Sequence, residues 1–326
     1  MPIDPPSIAE IEAAAKRLAG HVVRTPLVES PSLNERLGGR LLVKAEVLQR
    51  TGSFKFRGAY NRISQLDAGQ RGRGVVAFSS GNHAQGVALA AKLAGVPAVI
   101  VMPKDAPAIK IANTRGYGAE VVLYDRYTED REGIGRKVAT ERGAVLVPPY
   151  DDPYIIAGQG TCGLEIVEQC AGLGLTPDAV LAPASGGGLV AGVATAVKAK
   201  LPGTAVYAVE PATMNDTARS LAEGRRVAND PAARSICDAL MTAIPGELTF
   251  SVNRRLLAGA LAVSDQQVMR AMRGAFEWLK LVIEPGGSVA FAAALEGLCP
   301  VKGRVVVAVA SGGNVDPETY RQALAA

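Results

Sequence analysis

Short apolar runs alternate with longer, helix-compatible segments along most of the chain. Eight runs predict β-strands, at residues 41–44, 75–78, 98–102, 121–124, 145–147, 179–182, 205–209 and 305–309. Most of these runs are apolar at successive positions, which is typical of strands whose two sheet faces are both covered by helices. The Ala-rich segments 84–94 and 189–201 and the periodic segment 8–19 predict helices. This alternation predicts an α/β fold with mostly parallel sheets flanked by helices.

Two irregular stretches interrupt the alternation. Residues 148–153 contain three prolines and predict a crossing between lobes. Residues 229–250 contain Pro231, Pro245 and Gly246 and predict a loop-rich insertion. With 326 residues, the chain is long enough for one large domain or for two smaller domains that share a cleft.

Composition and charge exclude several classes of function. The net charge of +4 comes from basic residues that are interspersed with acids, so we expect neither a nucleic-acid-binding nor a membrane surface. His21 and His83 are the only histidines in the sequence, which all but excludes a histidine-based zinc site. The cysteines form no CxxC pair, and the N-terminus lacks the basic and apolar segments of a signal peptide. We therefore expect a reduced, cytoplasmic protein.

Lys55 lies between two phenylalanines where a helix is predicted to begin. Ser53 is the expected N-cap, and Phe56 and Tyr60 follow at helical spacing. In the first turn, the helix dipole and apolar neighbours both disfavour an ammonium charge. The neutral amine then becomes a nucleophile that can form a Schiff base with an aldehyde. The alternative is a first-turn lysine that lies over core aromatics with its amine in water.

Three predicted strands end in glycine and small polar residues, at the edge where open α/β sheets bind ligands. Residues 79–86 follow strand 75–78, and their N–H groups and hydroxyls predict a site for an anion such as a carboxylate. A polar N-cap with a glycine turn is the alternative for this segment. Residues 311–314 follow strand 305–309. Ser311 could hydrogen-bond a ligand nitrogen there, although a turn explains this segment equally well.

Ser185 and three successive glycines lie between strand 179–182 and a predicted helix. Backbone without side chains can approach an anion closely, and the helix dipole adds to the attraction, so we expect a phosphate here. A flexible turn is the alternative, but three glycines cost conformational entropy. The segment lacks the GxGxxG fingerprint, and no acidic residue occupies a ribose-binding position. This disfavours a nucleotide-binding dehydrogenase.

Together, these segments resemble the fold-type II enzymes that depend on pyridoxal phosphate (PLP), and within them the serine/threonine dehydratase, serine racemase and 3-hydroxyaspartate dehydratase group. The resemblance covers nearly the whole chain. Its motifs occur in the expected order, at residues 25–27, 53–59, 80–83, 157–161, 185–189, 210–211, 284–287 and 311–314. It implies a two-domain fold like that of the tryptophan synthase β subunit, a homodimer and an amino-acid substrate. The implied large, PLP-binding domain comprises residues 1–49 and 149–326, and the small domain comprises residues 50–148, with Lys55 at the junction.

The resemblance also implies a role for each matching residue. Lys55 would form the Schiff base with PLP and then act as the base on Cα, while in the racemase branch Ser80 would handle the proton on the opposite face. The implied PLP contacts are Phe54 on the ring, Asn82 on the 3-oxygen, Ser311 at the pyridine nitrogen, and Ser185, Gly186, Gly187, Gly188 and Leu189 around the phosphate. The implied contacts to the substrate carboxylate are Ser79, Ser80, Asn82 and His83.

The neutral Ser311 also indicates the type of reaction. A serine opposite the pyridine nitrogen does not favour its protonation, and a less electron-poor ring holds a delocalised carbanion less well. Prompt loss of a β-hydroxyl is then favoured. This predicts a dehydratase that converts serine, threonine or 3-hydroxyaspartate to a keto acid and ammonia. The alternatives are a serine or aspartate racemase that uses Lys55 and Ser80 on opposite faces, a β-replacement synthase, and a non-catalytic ligand-binding protein that kept the fold.

Glu210 and Asp216, with the backbone carbonyl of Met214, match positions that bind Mg²⁺ or a similar cation (Ca²⁺, Mn²⁺) in the resembling group. Two carboxylates, a carbonyl and waters suit a hard cation, and a pair of surface acids near a helix start is the alternative. The chain departs from the family pattern at Ser185, which replaces a glycine, and at residues 235–240, which leave the substrate range open. A second substrate carboxylate would need a basic partner, which the sequence does not identify.

Overall fold

The described residues form two β-sheets, and helices pack against both of them. The fold is that of a computed structural model, which describes residues 4–79, 81–106, 108–125 and 127–326. The strands in these ranges are β1 (Leu27–Val28), β2 (Arg40–Ala45), β3 (Val75–Phe78), β4 (Ala98–Pro103), β5 (Glu120–Tyr124), β6 (Val145–Leu146), β7 (Ala179–Pro183), β8 (Ala205–Pro211), β9 (Gly259–Val263) and β10 (Val305–Ala310).

The strand order gives one larger and one smaller sheet. The larger sheet has the order β1-β2-β10-β7-β8-β9, and β1 is antiparallel to β2 while the other pairs are parallel. The smaller sheet has the order β5-β4-β3-β6, and all of its pairs are parallel. The predicted α/β fold with mostly parallel sheets flanked by helices is confirmed. The domain boundaries at residues 49/50 and 148/149 stay a prediction.

Helices connect the strands in the described part of the chain. They are α1 (Ile8–Leu18), α2 (Pro31–Leu37), α3 (Lys55–Ile63), α4 (Ala68–Arg73), α5 (Asn82–Ala94), α6 (Ala108–Gly116), α7 (Arg131–Arg142), α8 (Pro153–Gly172), α9 (Gly188–Lys200), α10 (Asp216–Glu223), α11 (Glu247–Leu256), α12 (Asp265–Gly274), α13 (Pro285–Leu295) and α14 (Pro317–Ala325). Among these helices, none has the length and apolar character needed to cross a lipid bilayer.

The sequence predicts neither β1 nor β9, and it places the start of one helix, α11, in a loop. β1 has only two residues, and β9 contains Gly259 and two alanines, which are weak strand formers. Helix α11 begins inside the predicted loop 229–250, because the carboxylate of Asp151 accepts hydrogen bonds from the N–H groups of Glu247 and Thr249. These partners are 96 and 98 positions apart along the chain, so no local pattern reveals the cap.

Glycines allow the backbone of α8 to touch its neighbours directly. A Cβ atom placed on Gly158 would lie 2.6 Å from the carbonyl oxygen of Arg57 and 2.8 Å from the Cα of Gly58, both in α3. A Cβ atom on Gly192 of α9 would lie 2.6 Å from the backbone nitrogen of Gly160. Because interiors pack without spare volume, only glycine permits these spacings. The contact between α8 and α3 thereby sets the position of the helix that begins at Lys55.

The change Gly158→Ala tests this contact. The added methyl group forces α3 and α8 apart, and we expect the free energy of unfolding to fall by about 1–3 kcal/mol. Urea denaturation of the purified protein measures the effect. Gly172→Ala is the matched control, because Gly172 lies at the end of the same helix with no atom within 4 Å of its added Cβ. Equal stability of the two variants would contradict the proposed close contact.

Candidate active site

A pocket of about 140 Å³ lies beside the carboxyl ends of β3, β7 and β10. Most of the residues selected from the sequence line it. They are Phe54, Lys55, Ser79, Asn82, His83, Ser185, Gly186, Gly187, Gly188, Leu189 and Ser311. The remaining predicted residue of this group, Ser80, lies outside the described residues. The structure thus brings together segments that are far apart in the chain, as expected for ligand sites of open α/β sheets.

Lys55 is the first residue of α3, so its predicted place in the first helical turn is confirmed. The prediction that Ser53 is the N-cap of this helix is wrong. Ser53 has an extended backbone and pairs with Gly312, and the cap position belongs to Phe54, which makes no side-chain capping bond. Pairing with the segment after β10 therefore takes precedence over the local capping preference of serine.

The surroundings of Lys55 favour its neutral amine. Its Nζ donates a hydrogen bond to the carbonyl oxygen of Pro149 at 2.7 Å and lies 5.1 Å from the centre of the Phe54 ring. Burial lowers the pKa of Lys55 to about 8. At neutral pH, a larger fraction of this amine is therefore unprotonated than for a lysine in water, as a Schiff-base nucleophile requires.

A cluster of buried charges holds α3 next to Lys55. Arg57 donates hydrogen bonds to Glu46 at 2.8 Å and to Glu165 at 2.7 Å, and Lys44 donates to Glu165 at 2.6 Å. The side chains of Arg57, Glu46 and Lys44 have no exposed surface. Burial alone would raise the pKa of Glu46, but the charge and hydrogen bonds of Arg57 hold it below its ordinary value. Because Glu46 follows β2 and Glu165 lies in α8, the cluster ties α3 to both elements.

The glycine segment forms the start of α9. Gly187 is the N-cap residue, with a φ of 91°, and no side chain caps the helix. The first N–H groups of α9 are therefore free of a capping partner and can bind an anion. Thr249 Oγ1 donates a hydrogen bond to the carbonyl oxygen of Gly186 at 2.5 Å and so joins the glycine segment to α11. A Cβ atom on Gly186 would collide with the ring of Tyr150.

The loop before α5 contributes polar groups on another wall of the pocket. Ser79 Oγ accepts a hydrogen bond from the N–H of Gly81 at 3.2 Å, and Asn82 is the first residue of α5. The Nε2 atom of His83 lies 2.9 Å from the carbonyl oxygen of Val147, so this nitrogen carries the hydrogen. Burial, with help from the nearby Lys55 charge, lowers the pKa of His83 to about 3 and keeps the ring neutral. Nδ1 of this neutral ring is then an acceptor, so any contact of His83 with a carboxylate is left to its backbone N–H.

Several pocket residues were not identified from the sequence. They are Lys110, Arg131, Tyr150, Gln159, Asp238, Thr242 and Glu284. Gln159 and Glu284 belong to segments that carry the family resemblance, so the motifs could have indicated them. Lys110 and Arg131 belong to α6 and α7, whose sequences resemble ordinary polar surface helices. No local signal distinguishes these two cations from the other basic residues of the chain.

The predicted cation site contains two buried acids. Glu210 accepts hydrogen bonds from the N–H groups of Thr217 and Ala218, both at 3.0 Å, and so caps α10. Asp216 accepts one bond from Asn229 at 2.7 Å, and its Oδ2 has no hydrogen-bond partner among the described residues. Burial raises the pKa of both carboxyls. No cluster of three or more His, Cys, Asp or Glu occurs in the described ranges, and the cation at Glu210, Met214 and Asp216 stays a prediction.

The pocket's chemistry fits PLP. A lysine amine whose pKa is lowered to about 8 can react with the aldehyde, and the uncapped start of α9 can bind the phosphate. Ser311 is 5% exposed and offers a neutral hydroxyl, while the backbone N–H of Phe54 donates to its carbonyl oxygen at 3.1 Å. The fold and the site therefore define a PLP-dependent enzyme of fold type II.

Comparison with known proteins agrees with this class. The family described as "Pyridoxal-phosphate dependent enzyme" matches residues 18–312. The chain is 46% identical over 316 residues to the L-threo-3-hydroxyaspartate ammonia-lyase of Saccharomyces cerevisiae, covering 97% of this chain and 95% of that protein. It is 39% identical over 315 residues to the serine racemase of Schizosaccharomyces pombe, covering 97% and 96%. A crystal structure of the threonine deaminase from T.th. has a TM-score of 0.90 at 46% identity, covering 95% and 99%.

The chain belongs to the pyridoxal-phosphate dependent enzyme family, and PLP is its cofactor. The family resemblance inferred from the motifs is confirmed. The roles of the individual pocket residues stay predictions.

The change Gly187→Ala tests the phosphate site. An alanine at a φ of 91° is strained, and its Cβ would lie 2.7 Å from Asn253 Nδ2, so the segment must shift. We expect the dissociation constant of PLP to rise about tenfold or more, measured by titrating the apoprotein with PLP; the loss of one charge-assisted hydrogen bond gives an effect of this size.

Gly224→Ala is the control for the strain itself. Gly224 has a φ of 69° at the end of α10, and its added Cβ would have no atom within 4 Å. Both variants should lose stability, and only Gly187→Ala should bind PLP more weakly. Unchanged PLP affinity in Gly187→Ala would exclude this segment as the phosphate site.

Proposed function

We propose that this enzyme is an ammonia-lyase that removes water from a β-hydroxy-α-amino acid, and that its preferred substrate is 3-hydroxyaspartate. The observation that carries the proposal is the pair of cations, Lys110 and Arg131, that lines the pocket in addition to Lys55. Serine and threonine have no second carboxylate for these cations to bind. The relative from Saccharomyces cerevisiae is itself named for L-threo-3-hydroxyaspartate.

The position of Lys110 supports its contact with a dicarboxylate. Its side chain is only 12% exposed, and its Nζ lies beside Gly81, 3.6 Å from where a Cβ of that residue would be. Lys110 is therefore next to the loop that is predicted to bind the α-carboxylate. Its Nζ forms an ion pair of 3.3 Å with Asp238, whose side chain is 57% exposed. Because water solvates the exposed carboxylate of Asp238, this ion pair is weak, and a substrate carboxylate can compete with Asp238 for Lys110.

Arg131 is the stronger candidate for the second carboxylate. It is the first residue of α7, and its guanidinium carbon lies 5.9 Å from the centre of the Phe78 ring, at the end of β3. No ion pair joins Arg131 to a carboxylate in the described part of the chain. A guanidinium group can donate two parallel hydrogen bonds to a carboxylate, which gives both affinity and orientation.

The remaining residues suit an elimination reaction. Bound PLP supplies the electron sink for the bonding electrons released at Cα. Ser79 and the backbone N–H of Asn82, at the start of α5, would hold the α-carboxylate and so orient the Cα–H bond toward Lys55. The amine of Lys55 would take the Cα proton, and the β-hydroxyl would gain a proton and leave as water. The released enamine would become an imine, which one water hydrolyses to a keto acid and ammonia. For 3-hydroxyaspartate, the net products are oxaloacetate and ammonia.

Racemisation is the second candidate function, because the serine racemase of Schizosaccharomyces pombe is 39% identical to this chain. It requires a proton donor on the face opposite Lys55, the role predicted for Ser80. Formation of the D-enantiomer from L-serine or L-aspartate, measured beside keto-acid release, distinguishes racemisation from elimination.

The proposal includes three further points. All four cysteines are free and buried, which supports a reducing, cytoplasmic environment. A homodimer is inferred by analogy with the family. A divalent cation such as Mg²⁺ would bind at Asp216, whose free Oδ2 supports it, with Glu210 and the carbonyl of Met214.

Keto-acid release from the stereoisomers of 3-hydroxyaspartate, from serine and from threonine tests the proposal. We expect the highest kcat/KM with a 3-hydroxyaspartate. The change Arg131→Gln should lower this kcat/KM about tenfold or more, because a charge-assisted hydrogen bond to the second carboxylate is lost. Activity with L-serine should change less than about threefold, since serine has no group for Arg131 to bind.

Arg136→Gln is the matched control from the same helix. Arg136 pairs with Glu132 at 3.3 Å on the surface and does not line the pocket. We expect this variant to keep the activity and the substrate preference of the unmodified enzyme. Equal losses with 3-hydroxyaspartate and serine in Arg131→Gln would contradict the assignment of Arg131, and a preference for serine or threonine in the unmodified enzyme would contradict the substrate.

A further inference from the structure

Two motif residues without a predicted role, Glu284 and Asn314, contact the side chain of Asn82. Asn314 Nδ2 donates a hydrogen bond to Asn82 Oδ1 at 2.7 Å. Asn82 Nδ2 donates a hydrogen bond to Glu284 Oε1 at 2.5 Å. Both partners are more than 200 positions from Asn82 in the sequence, at separations of 232 and 202 residues. They reach it because the segments before α13 and after β10 meet at the start of α5.

The carbonyl oxygen of Thr51 determines which group donates and which accepts in each of these hydrogen bonds. Asn314 Nδ2 also donates to the carbonyl oxygen of Thr51 at 2.8 Å, and a backbone carbonyl can only accept. Nδ2 of Asn314 must therefore face Thr51, and its second hydrogen reaches Asn82 Oδ1. With Oδ1 of Asn82 occupied in this way, Nδ2 of Asn82 faces the carboxylate of Glu284, which is also an acceptor.

These hydrogen bonds leave one hydrogen of Asn82 Nδ2 free for a ligand. This nitrogen has two hydrogens, and Glu284 accepts one of them. Asn82 lines the pocket, and its second N–H has no acceptor among the described residues. If the amide were turned over, its oxygen would face the carboxylate of Glu284, and two acceptors would be in contact.

The backbone around Glu284 is built for this contact. Glu284 is 2% exposed. A Cβ atom on Gly312 would collide with Glu284 Oε1 and would lie 3.1 Å from Asn82 Nδ2. The N–H of Glu284 donates to the carbonyl oxygen of Gly312 at 3.0 Å, so the two segments are also joined by their backbones. Only glycine fits at position 312, because the carboxylate of Glu284 lies where a side chain would begin.

We propose that Asn314 and Glu284 are positioning residues that fix the amide of Asn82 as a hydrogen-bond donor to the phenolic 3-oxygen of PLP. This inference rests on the proposed function as a PLP enzyme and on the contact between Asn82 and the 3-oxygen of PLP that the family resemblance implies. An amide held in this orientation offers a donor to an anionic oxygen without having to reorganise, which strengthens the bond to the anionic form. Asn82 alone could present its oxygen instead, which would repel the phenolate.

Glu284 also makes the contact sensitive to pH. Burial, with a further contribution from the charge of Asp238, raises the pKa of Glu284 to about 7, while Lys110 and the bond from Asn82 act in the opposite direction. Asp316 lines the neighbouring cavity of about 330 Å³, together with Lys110, Asp238 and Glu284. The carboxylate is a stronger acceptor than the neutral acid. The orientation of Asn82 should therefore be held most firmly above pH 7.

The changes Asn314→Asp and Glu284→Gln test the proposal on the holoenzyme without substrate. The carboxylate introduced by Asn314→Asp cannot donate to Asn82, so Oδ1 of Asn82 faces a carboxylate in either orientation and the amide is no longer fixed as a donor to PLP. We expect the dissociation constant of PLP to rise about tenfold or more in this variant and the visible absorption spectrum of bound PLP to change.

The amide introduced by Glu284→Gln can still accept a hydrogen bond from Asn82 but cannot ionise. We expect the PLP affinity of this variant above pH 8 to lie within about threefold of that of the unmodified protein. The unmodified protein should bind PLP more weakly as pH falls through about 7, because Glu284 is then protonated. Glu284→Gln should lose the part of this weakening that Glu284 causes and keep only the part caused by protonation of Lys55, whose pKa is about 8.

A second pair of residues supplies matched controls. Asn34 Nδ2 donates to Glu29 at 2.8 Å, and Asn34 Oδ1 accepts from the N–H of Leu41 at 2.9 Å, outside the pocket. Asn34→Asp and Glu29→Gln should leave the PLP affinity, the spectrum and the pH dependence unchanged. The two control variants show how much the same chemical changes alter PLP affinity by lowering stability alone. Urea denaturation of all four variants measures that stability.

Two results would overturn the inference. One is unaltered PLP affinity and spectrum in folded Asn314→Asp, and the other is an unaltered pH dependence in Glu284→Gln. Should Asn314→Asp fail to fold, the pH dependence of Glu284→Gln decides the question by itself. Failure of the proposed function is recognised separately, because it would appear as the absence of keto-acid release from the unmodified enzyme.

Discussion

Four buried charges around Arg57 fix the helix on which this site depends. Arg57 and Lys44 are paired with Glu46 and Glu165, so the cluster is neutral as a whole. Removing one member would leave a buried charge without a partner, which costs about 3–5 kcal/mol in other proteins. Arg57 lies two positions after Lys55 in α3, which means that the central residue of the cluster and the pocket lysine belong to the same helical turn. The interior contact between α3 and α8, made through Gly158, adds a steric constraint to this electrostatic one.

Because α3 is held in this way, the rest of the pocket can be arranged around Lys55. The amine meets the carbonyl oxygen of Pro149, and its burial favours the neutral form. The start of α9 and the loop before α5 approach from the ends of different strands. Each contributes groups that can bind an anion, as a cofactor phosphate and a substrate carboxylate require. The pocket therefore depends on three strands, β3, β7 and β10, whose carboxyl ends lie close to Lys55.

The sequence predicts the fold and the PLP site because both have local signals. Apolar runs with consecutive buried positions mark the main strands, and glycine-rich segments mark the ends where ligands bind. β1 and β9 have no such signal, since β1 is very short and β9 is rich in small residues. Ser53 shows a different reason for failure: its local preference for capping is overridden by pairing with Gly312.

The residues that would define the substrate leave no comparable signal. Lys110 and Arg131 resemble other surface cations until the fold brings them to the pocket. The same is true of the contacts of Asn82 with Glu284 and Asn314: the motifs indicate that these residues matter, but their hydrogen bonds join segments more than 200 positions apart. Long-range contacts of this kind depend on the packing of the two sheets, which a local pattern does not contain.

The central claim is that the amine of Lys55 carries PLP. Borohydride reduction of the holoenzyme, followed by proteolysis and mass spectrometry of the peptides, tests it most directly. The account predicts a pyridoxyl group on Lys55, and a Lys55→Arg variant that is folded but carries no reduced label. A label on another lysine, or a holoenzyme that borohydride does not label, would contradict the account.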